Sequence, residues 1–193
     1  MPADDLRLDL PARLTDGVVV LGPYALTDAH AHWRGEDEEM RRRFDAPNPE
    51  TAASLEATRA AIGQFIEARA AGGPNIAYAV RTLAGDLVGG CELRRPAIDC
   101  VHVSYWTYAG WRGRGFAARS LARLCAAVGT LKPVRRIEAH IDPDNIASRE
   151  VAAKAGFKLC GETQDVSWAG AVSTRLVYAR EVASAADHGR PMA

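Results

Sequence analysis

The chain of 193 residues has no excess of charge: 24 Lys and Arg stand against 24 Asp and Glu. A protein that tracks nucleic acid usually carries a basic excess, so nucleic acid is not expected as a partner. Cysteine is scarce. Cys91, Cys100, Cys125 and Cys160 form no C-x-x-C pair and no zinc pattern. The first ten residues lack the basic start and apolar run of a secretory signal, so reduced thiols in a cytoplasmic protein are expected. No apolar run approaches the ~20 residues of a membrane helix, and no membrane association is expected. Repeats, low-complexity blocks and linker-like stretches are absent between Val18 and Arg180. With 48% hydrophobic and 25% charged residues, the composition is that of an ordinary globular protein. The expectation is one domain over 1–183 and a loose, small polar tail over 184–193.

Patterning supplies the elements. The apolar run Gly17 to Gly22 reads as a strand. Asp28 is placed as the cap of a helix through His30 and Trp33. Glu36 to Arg43 is so heavily charged that it reads as a solvated helix face or loop. Asn48-Pro49-Glu50 is a helix start, followed by a stripe of Leu55, Ile62, Phe65, Ile66 and Ala70 and a stop at Gly72-Gly73-Pro74. Ile76 to Thr82 and Leu87 to Leu93 form a hairpin around Ala84-Gly85-Asp86. Cys100 to Thr107 is a strand with Val101, Val103 and Tyr105 on one face and His102, Ser104 and Trp106 on the other. A glycine-rich turn then leads into a helix with the stripe Leu121, Leu124, Cys125 and Val128. Arg136 to Ile141 is a strand, Asn145 caps a short helix that ends at Gly156, and Lys158 to Glu162 and Thr174 to Arg180 are closing strands. Hairpins beside helix crossovers predict an α/β (α+β) fold: a mixed sheet with helices on both faces.

Arg112-Gly113-Arg114-Gly115-Phe116-Ala117 lies between a strand and that amphipathic helix. Glycines let a backbone approach a ligand closely, and a helix start offers unpaired N–H groups and a positive dipole end. Such a segment can seat a phosphate or pyrophosphate; alternatively it is a plain turn with solvated arginines. It is neither a P-loop nor a dinucleotide fingerprint, since Gly-Lys-Ser/Thr and a third glycine are missing.

Arg112-x-x-Gly115-x-Ala117 resembles the cofactor loop of the GNAT N-acetyltransferase superfamily. Tyr105-Trp106-Thr107 resembles the Tyr-Trp-Leu of its ribosomal-protein N-terminal acetyltransferase subgroup. Asn145-x-x-Ser148-x-x-Val151-x-x-Lys154-x-Gly156-Phe157 resembles the second superfamily signature, and the likeness covers residues 17–180. The resemblance implies a mostly antiparallel sheet of six to seven strands flanked by about four helices. It implies acetyl-CoA as co-substrate, with no metal. The pyrophosphate would lie on Arg112 to Ala117, the pantetheine arm on backbone groups of Trp106, Thr107 and Tyr108, and Asn145 would join the cofactor site. One backbone N–H of the strand would polarise the thioester carbonyl. A primary amine, on a small molecule or a protein N-terminus, would attack directly in a ternary complex. Dimers are common in the family, so a homodimer is an expectation too.

Three positions depart from the family. His102 stands where the subgroup often has a glutamate; it is either the base that takes the amine's proton or a histidine packed on the sheet. Ala152 stands where many members have the tyrosine that protonates the thiolate. Ser148, one helical turn earlier, either takes that role or bonds only at the helix N-terminus. Gly22 replaces a usual arginine. Two other activities stay open: a non-catalytic acyl-CoA-binding or regulatory domain on the same fold, and a larger donor such as succinyl-CoA.

Further residues carry readings from their own chemistry. His30 and His32, two apart on a helix, point in different directions and make a poor metal pair. His140 with Glu138 and Arg136 is polar surface or an internal pair. Trp33 and Phe44 fall where the family shapes its acceptor pocket. Glu36 to Glu39 are either a solvated face or an attraction for a cationic acceptor. Cys100 and Cys125 read as buried fillers.

Overall fold

Alternating burial along Val101–Val103 and Ile137–Ile141 makes these segments strands whose apolar sides meet one helical layer. The computed structural model describes residues 6–44, 54–166 and 172–182. The helix start expected at Asn48 to Glu50 and the tail at 184–193 lie outside these residues. In chain order the elements are β1 (Leu14–Thr15), β2 (Val19–Gly22), α1 (Ala29–Gly35), α2 (Glu38–Arg43), α3 (Leu55–Ala71), β3 (Asn75–Thr82), β4 (Leu87–Ala97), β5 (Cys100–Thr107), α4 (Phe116–Val128), β6 (Arg136–Ile141), α5 (Ile146–Lys154), β7 (Lys158–Val166) and β8 (Val172–Glu181). The eight strands form one sheet in the order β1-β2-β3-β4-β5-β6-β8-β7. Neighbours are antiparallel except β5 and β6, which are parallel.

The architecture is the expected mixed, mostly antiparallel sheet, with eight strands in place of six to seven and five described α-helices in place of about four. Helix α4 buries Leu121, Leu124, Cys125 and Val128 against one face, joined by Ala152 and Ala155 of the α5 segment. On the other face Ile62 of α3 and Ala29 of α1 pack on Ala77 and Ala79. No helix among the described residues is long and apolar enough to cross a membrane.

Several boundaries differ for physical reasons. Strand β4 continues through Arg94 and Arg95 because Arg95 turns inward, 5% exposed, and donates to the carbonyls of Arg7 (2.9 Å) and Ile98 (2.5 Å). Asp28 precedes α1 but makes no cap bond to it. Its carboxylate instead accepts from Ala25 N–H (2.8 Å) and Arg81 (2.5 Å), which braces the preceding turn. The Asn145 cap is as expected, with Oδ1 accepting from Ser148 N–H at 3.1 Å.

Candidate active site

The parallel pairing of β5 with β6 covers only Cys100–Arg136, Val101–Ile137 and His102–Glu138. Beyond it β5 stays with β4 to Thr107, while β6 stays with β8 to Ile141. The sheet therefore opens between Val103–Thr107 and Ala139–Ile141. Tyr108 N–H donates across to Val88 C=O at 3.0 Å. Alternation along the strand then directs the backbone groups of Trp106 and Ser104 to β4, and turns those of Val103, Tyr105 and Thr107 into the opening. Thr107 C=O duly accepts from Arg112 Nε–H, outside the sheet, at 3.1 Å. Of Trp106, Thr107 and Tyr108, Thr107 is the one whose backbone groups face the opening by this alternation. Both backbone groups of Tyr108 are engaged within the protein, its carbonyl accepting from Trp111 N–H at 2.8 Å.

The loop leads from this edge to the start of α4. Gly113 and Gly115 adopt φ of +75° and +81°, and a Cβ on either would meet nothing within 4 Å. Gly115 caps α4 without a side chain, and the first helical bond runs from Arg119 N–H to Gly115 C=O (3.1 Å). The N–H groups of the first turn, Phe116 and Ala117 included, are thus left pointing outward. Phe116 packs edge-on against Trp111, and the Arg114 guanidinium lies 5.0 Å over the Trp111 ring.

Arg112 is placed differently from expectation. Its guanidinium grips Asp37 with two bonds, at 2.6 and 2.9 Å. That hydrogen bond and the arginine's charge hold the Asp37 carboxyl below its ordinary value. Asp37 also caps α2 by accepting from Met40 N–H (2.9 Å). At its other end α2 sends Arg42 to Asp144 (3.2 Å) and Arg43 to Asp142 (3.1 Å) and Asp144. Asp142 and Asp144 follow β6, so α2 is a strap tied to both banks of the opening. The acids of this segment are matched internally: Glu36 by His32, Asp37 by Arg112, and Glu39 by Arg42 and Arg43. Among the described residues Glu38 is the one acid of this segment left exposed and without a partner, so most of the segment's charge is matched before any cationic acceptor arrives.

On the α4–α5 side of β5, Ser148 Oγ–H donates to the Tyr105 hydroxyl (2.9 Å), which in turn donates to Ser148 C=O (2.8 Å). Burial pushes the Tyr105 hydroxyl up to about 12, so it keeps its proton. Ser148 is thereby one half of a hydroxyl pair bridging β5 to α5, with Ala152 fully buried one turn on. Asn145 serves as the cap of α5, and its amide NH2 donates to nothing among the described residues.

On the opposite face His102 joins Glu138 and His140. Glu138 Oε2 lies 3.4 Å from His102 Nε2 and 3.1 Å from His140 Nε2. Arg136 Nε–H donates to the other oxygen at 2.5 Å. Burial lowers the His102 pKa and the neighbouring His140 lowers it further, against the opposing pull of Glu138. His140 is thus an internal pair rather than surface. Cys100, His102 and Glu138 also bring one heteroatom each within 4.8 Å of one another. Cysteine spacing concealed this grouping. Arg136 already occupies Glu138, and burial lifts the Cys100 thiol to about 11; a resident cation and a reluctant thiol both oppose a metal ion there.

Sequence reasoning missed one buried network. His32 Nδ1 bonds the Tyr108 hydroxyl and His32 Nε2 lies 3.2 Å from Glu36. Tyr24 and Trp106 pack edge-on to the same imidazole, and Phe44 packs edge-on to Trp106 at 5.4 Å. Together these rings lock α1 to the end of β5. The i, i+4 spacing of His32 and Glu36 was the available signal.

The profile of the acetyltransferase (GNAT) domain matches residues 19–158. The chain belongs to the GNAT acetyltransferase family. Among solved structures, RimJ of Mycobacterium smegmatis in complex with CoA-disulfide superposes with a TM-score of 0.74 at 22% identity, covering 92% of this chain and 87% of that one. The ribosomal L7/L12 alpha-N-protein acetyltransferase RimL in complex with coenzyme A gives 0.74 at 20%, with 90% and 97% covered. The microcin C7 self-immunity acetyltransferase MccE in complex with acetyl-CoA and AMP gives 0.72 at 16%, with 87% and 94% covered. At these identities the likeness establishes a shared fold. No curated protein matches the sequence. Membership makes this chain an acyl-CoA-dependent acetyltransferase, and the opening between β5 and β6 is its candidate active site.

Proposed function

We propose that this GNAT chain moves an acetyl group from acetyl-CoA to a primary amine by direct attack in a ternary complex. The observation that carries the reading is the backbone edge of Val103, Tyr105 and Thr107, which no neighbouring strand covers and which runs into a Cβ-free loop at a helix start. A thiol arm with amides needs strand-like partners, and a pyrophosphate needs converging N–H donors; both are present in line. Gly113, Arg114, Gly115, Phe116 and Ala117 would hold the pyrophosphate, and Tyr105 and Thr107 the pantetheine amides. The thioester supplies an activated acetyl group, and a β5 N–H aimed at its carbonyl would stabilise the developing oxyanion. The acceptor, a small-molecule amine or a protein N-terminus, would enter on the face of His102, Ser104 and Trp106.

His102 is the base in this reading. Its depressed pKa keeps the ring neutral and able to accept a proton at pH 7. The groups facing it are Cys100 on its own strand, Arg94 on β4 and Glu138, His140 and Arg136 on β6. Because the neutral ring is active, the rate rises with pH and levels off above a pKa below the ordinary histidine value of about 6.5. In this reading Ser148, paired with the Tyr105 hydroxyl, would protonate the leaving thiolate.

The deciding experiment is calorimetric titration with acetyl-CoA, followed by free-thiol release across amines including spermidine and a hexapeptide with a free N-terminus. No binding at millimolar acetyl-CoA would sink the reading. His102→Gln is expected to lower turnover by about 100-fold and erase the acidic limb of the pH profile, with acetyl-CoA affinity unchanged. A profile unaltered by that change removes His102 from the mechanism.

Asp37→Asn tests the arginine. Asn keeps the cap of α2 but releases the guanidinium to a phosphate. Acetyl-CoA affinity is expected to rise about two- to fivefold at low salt, and the gain to shrink as ionic strength rises. Weaker binding would instead make the Asp37 bridge part of the cofactor site.

A further inference from the structure

The acids of the α2 segment are mostly matched, but one carboxylate on the acceptor face is not. Antiparallel register places Gly90, Glu92 and Arg94 of β4 opposite Trp106, Ser104 and His102 of β5, so these six positions share one face of the sheet. On its other side Glu92 pairs with Ala77 of β3, whose side chain has no polar group to offer. Trp106 leans back over Gly90, where a Cβ would collide with the indole, and so walls the site on the side of the loop. Glu92 is half-buried in this floor, and among the described residues its carboxylate makes no hydrogen bond and no ion pair. Burial raises the carboxyl above its ordinary value, and the charge of Arg94, two residues along, opposes that from a distance. A desolvated carboxylate without a partner costs free energy, and an ammonium that reaches it recovers that cost. The attraction is also stronger here than at an exposed acid, because the local dielectric is lower.

We propose that Glu92 determines acceptor specificity by receiving a second ammonium group, which makes a diamine the preferred acceptor. This rests on the reading of the chain as an amine acetyltransferase whose acceptor lies on the His102 face. The attacked nitrogen must stand within reach of both His102 and the β5–β6 opening. Glu92 is diagonal to His102 across the β4–β5 ladder, about 7–8 Å away between Cβ atoms. An extended putrescine bridges that gap with one nitrogen at each end. Ser104, small and opposite Glu92, leaves the carbon chain room to cross β5. Arg94 directly faces His102, so a cation is repelled from that end of β4 and the second charge is steered to Glu92. A monoamine of the same length reaches His102 but covers the carboxylate with a methyl group and leaves it unpaired. No bond is made or broken at Glu92: the far nitrogen stays protonated while the near one gives its proton to His102 and attacks.

Putrescine and n-butylamine separate charge from chain length. In the parent, kcat/KM for putrescine is expected to exceed that for butylamine by more than about tenfold, carried mostly by KM. Glu92→Gln keeps the shape and removes the charge; it is expected to weaken putrescine by about 10- to 100-fold and bring the two amines level. Glu92→Asp restores the charge on a shorter arm and should recover part of the preference, which a merely structural role would not. Calorimetric titration of putrescine into the protein, free and with coenzyme A, reads the same contact without turnover, and the same order of loss is expected in Glu92→Gln. Equal affinity for the two amines in the parent, or putrescine affinity unaltered by Glu92→Gln, would overturn the assignment. A chain that binds putrescine through Glu92 but transfers no acetyl group would refute the transfer reading and leave the carboxylate site standing.

Discussion

Gly115→Glu is expected to abolish acetyl-CoA binding while leaving the protein folded. Gly115 is the last residue before α4, with φ +81° and open space where a Cβ would go. A glutamate there extends over the first-turn N–H groups and brings a negative charge to the place proposed for the pyrophosphate. Two like charges about 4 Å apart repel by about 4 kcal/mol at an effective dielectric of about 20, or about a thousandfold in affinity. The left-handed backbone separately costs about 1–2 kcal/mol of stability in any L-residue. Gly115→Ala isolates that second effect: it should melt earlier but bind acetyl-CoA nearly as the parent does. Calorimetry and a thermal melt on both variants separate the two. Unchanged affinity in the glutamate variant would mean that the anion sits elsewhere.

The largest loss of stability is expected from Gly89→Ala. Gly89 on β4 pairs with Thr107 on β5, and a Cβ there would overlap the Trp106 carbonyl oxygen and touch the Thr107 Cα at 3.0 Å. Both obstacles are backbone, so no rotamer change relieves them; β4 and β5 must part. Overpacking of this kind costs about 3 kcal/mol, which lowers Tm by roughly 6–12 °C for a chain of this size. The strand that moves is the one with the open edge, so acetyl-CoA affinity should fall with stability. A melt within about 1 °C of the parent would show that the sheet absorbs the methyl group elsewhere.

What was legible in the sequence follows from range. Strand β5 was bounded residue for residue because its burial alternates and its ends are marked by turns. The glycine loop and the Asn145 cap were legible because their geometry is set by adjacent residues. Strand β1 escaped notice because two residues carry no period. The strap escaped because its partners lie 75 to 102 positions away in the chain. Read locally, Glu36 to Arg43 is only a charged face, and Arg112 only a free cation near a phosphate loop. That Trp106 and Tyr108 turn their backbone groups to β4 follows from a single backbone bond to Val88, which the local pattern does not show. The sequence named His102 on one strand and His140 with Glu138 and Arg136 on another; that they meet depends on the β5–β6 register, which no local pattern shows.

The three-residue seam between β5 and β6 has a mechanical meaning. Strands β1 to β5 form one plate and β6 to β8 another, each knitted along its length, yet they meet at one end only, over Cys100–His102 and Arg136–Glu138. Strain between the plates concentrates on that short ladder, where fewest hydrogen bonds must break for a local excursion. His102 and Glu138 sit in the last rung. The proposed base is therefore fixed at the fulcrum, where displacement is least, while the far ends of the plates, held apart or together by α2, have the longest lever arm.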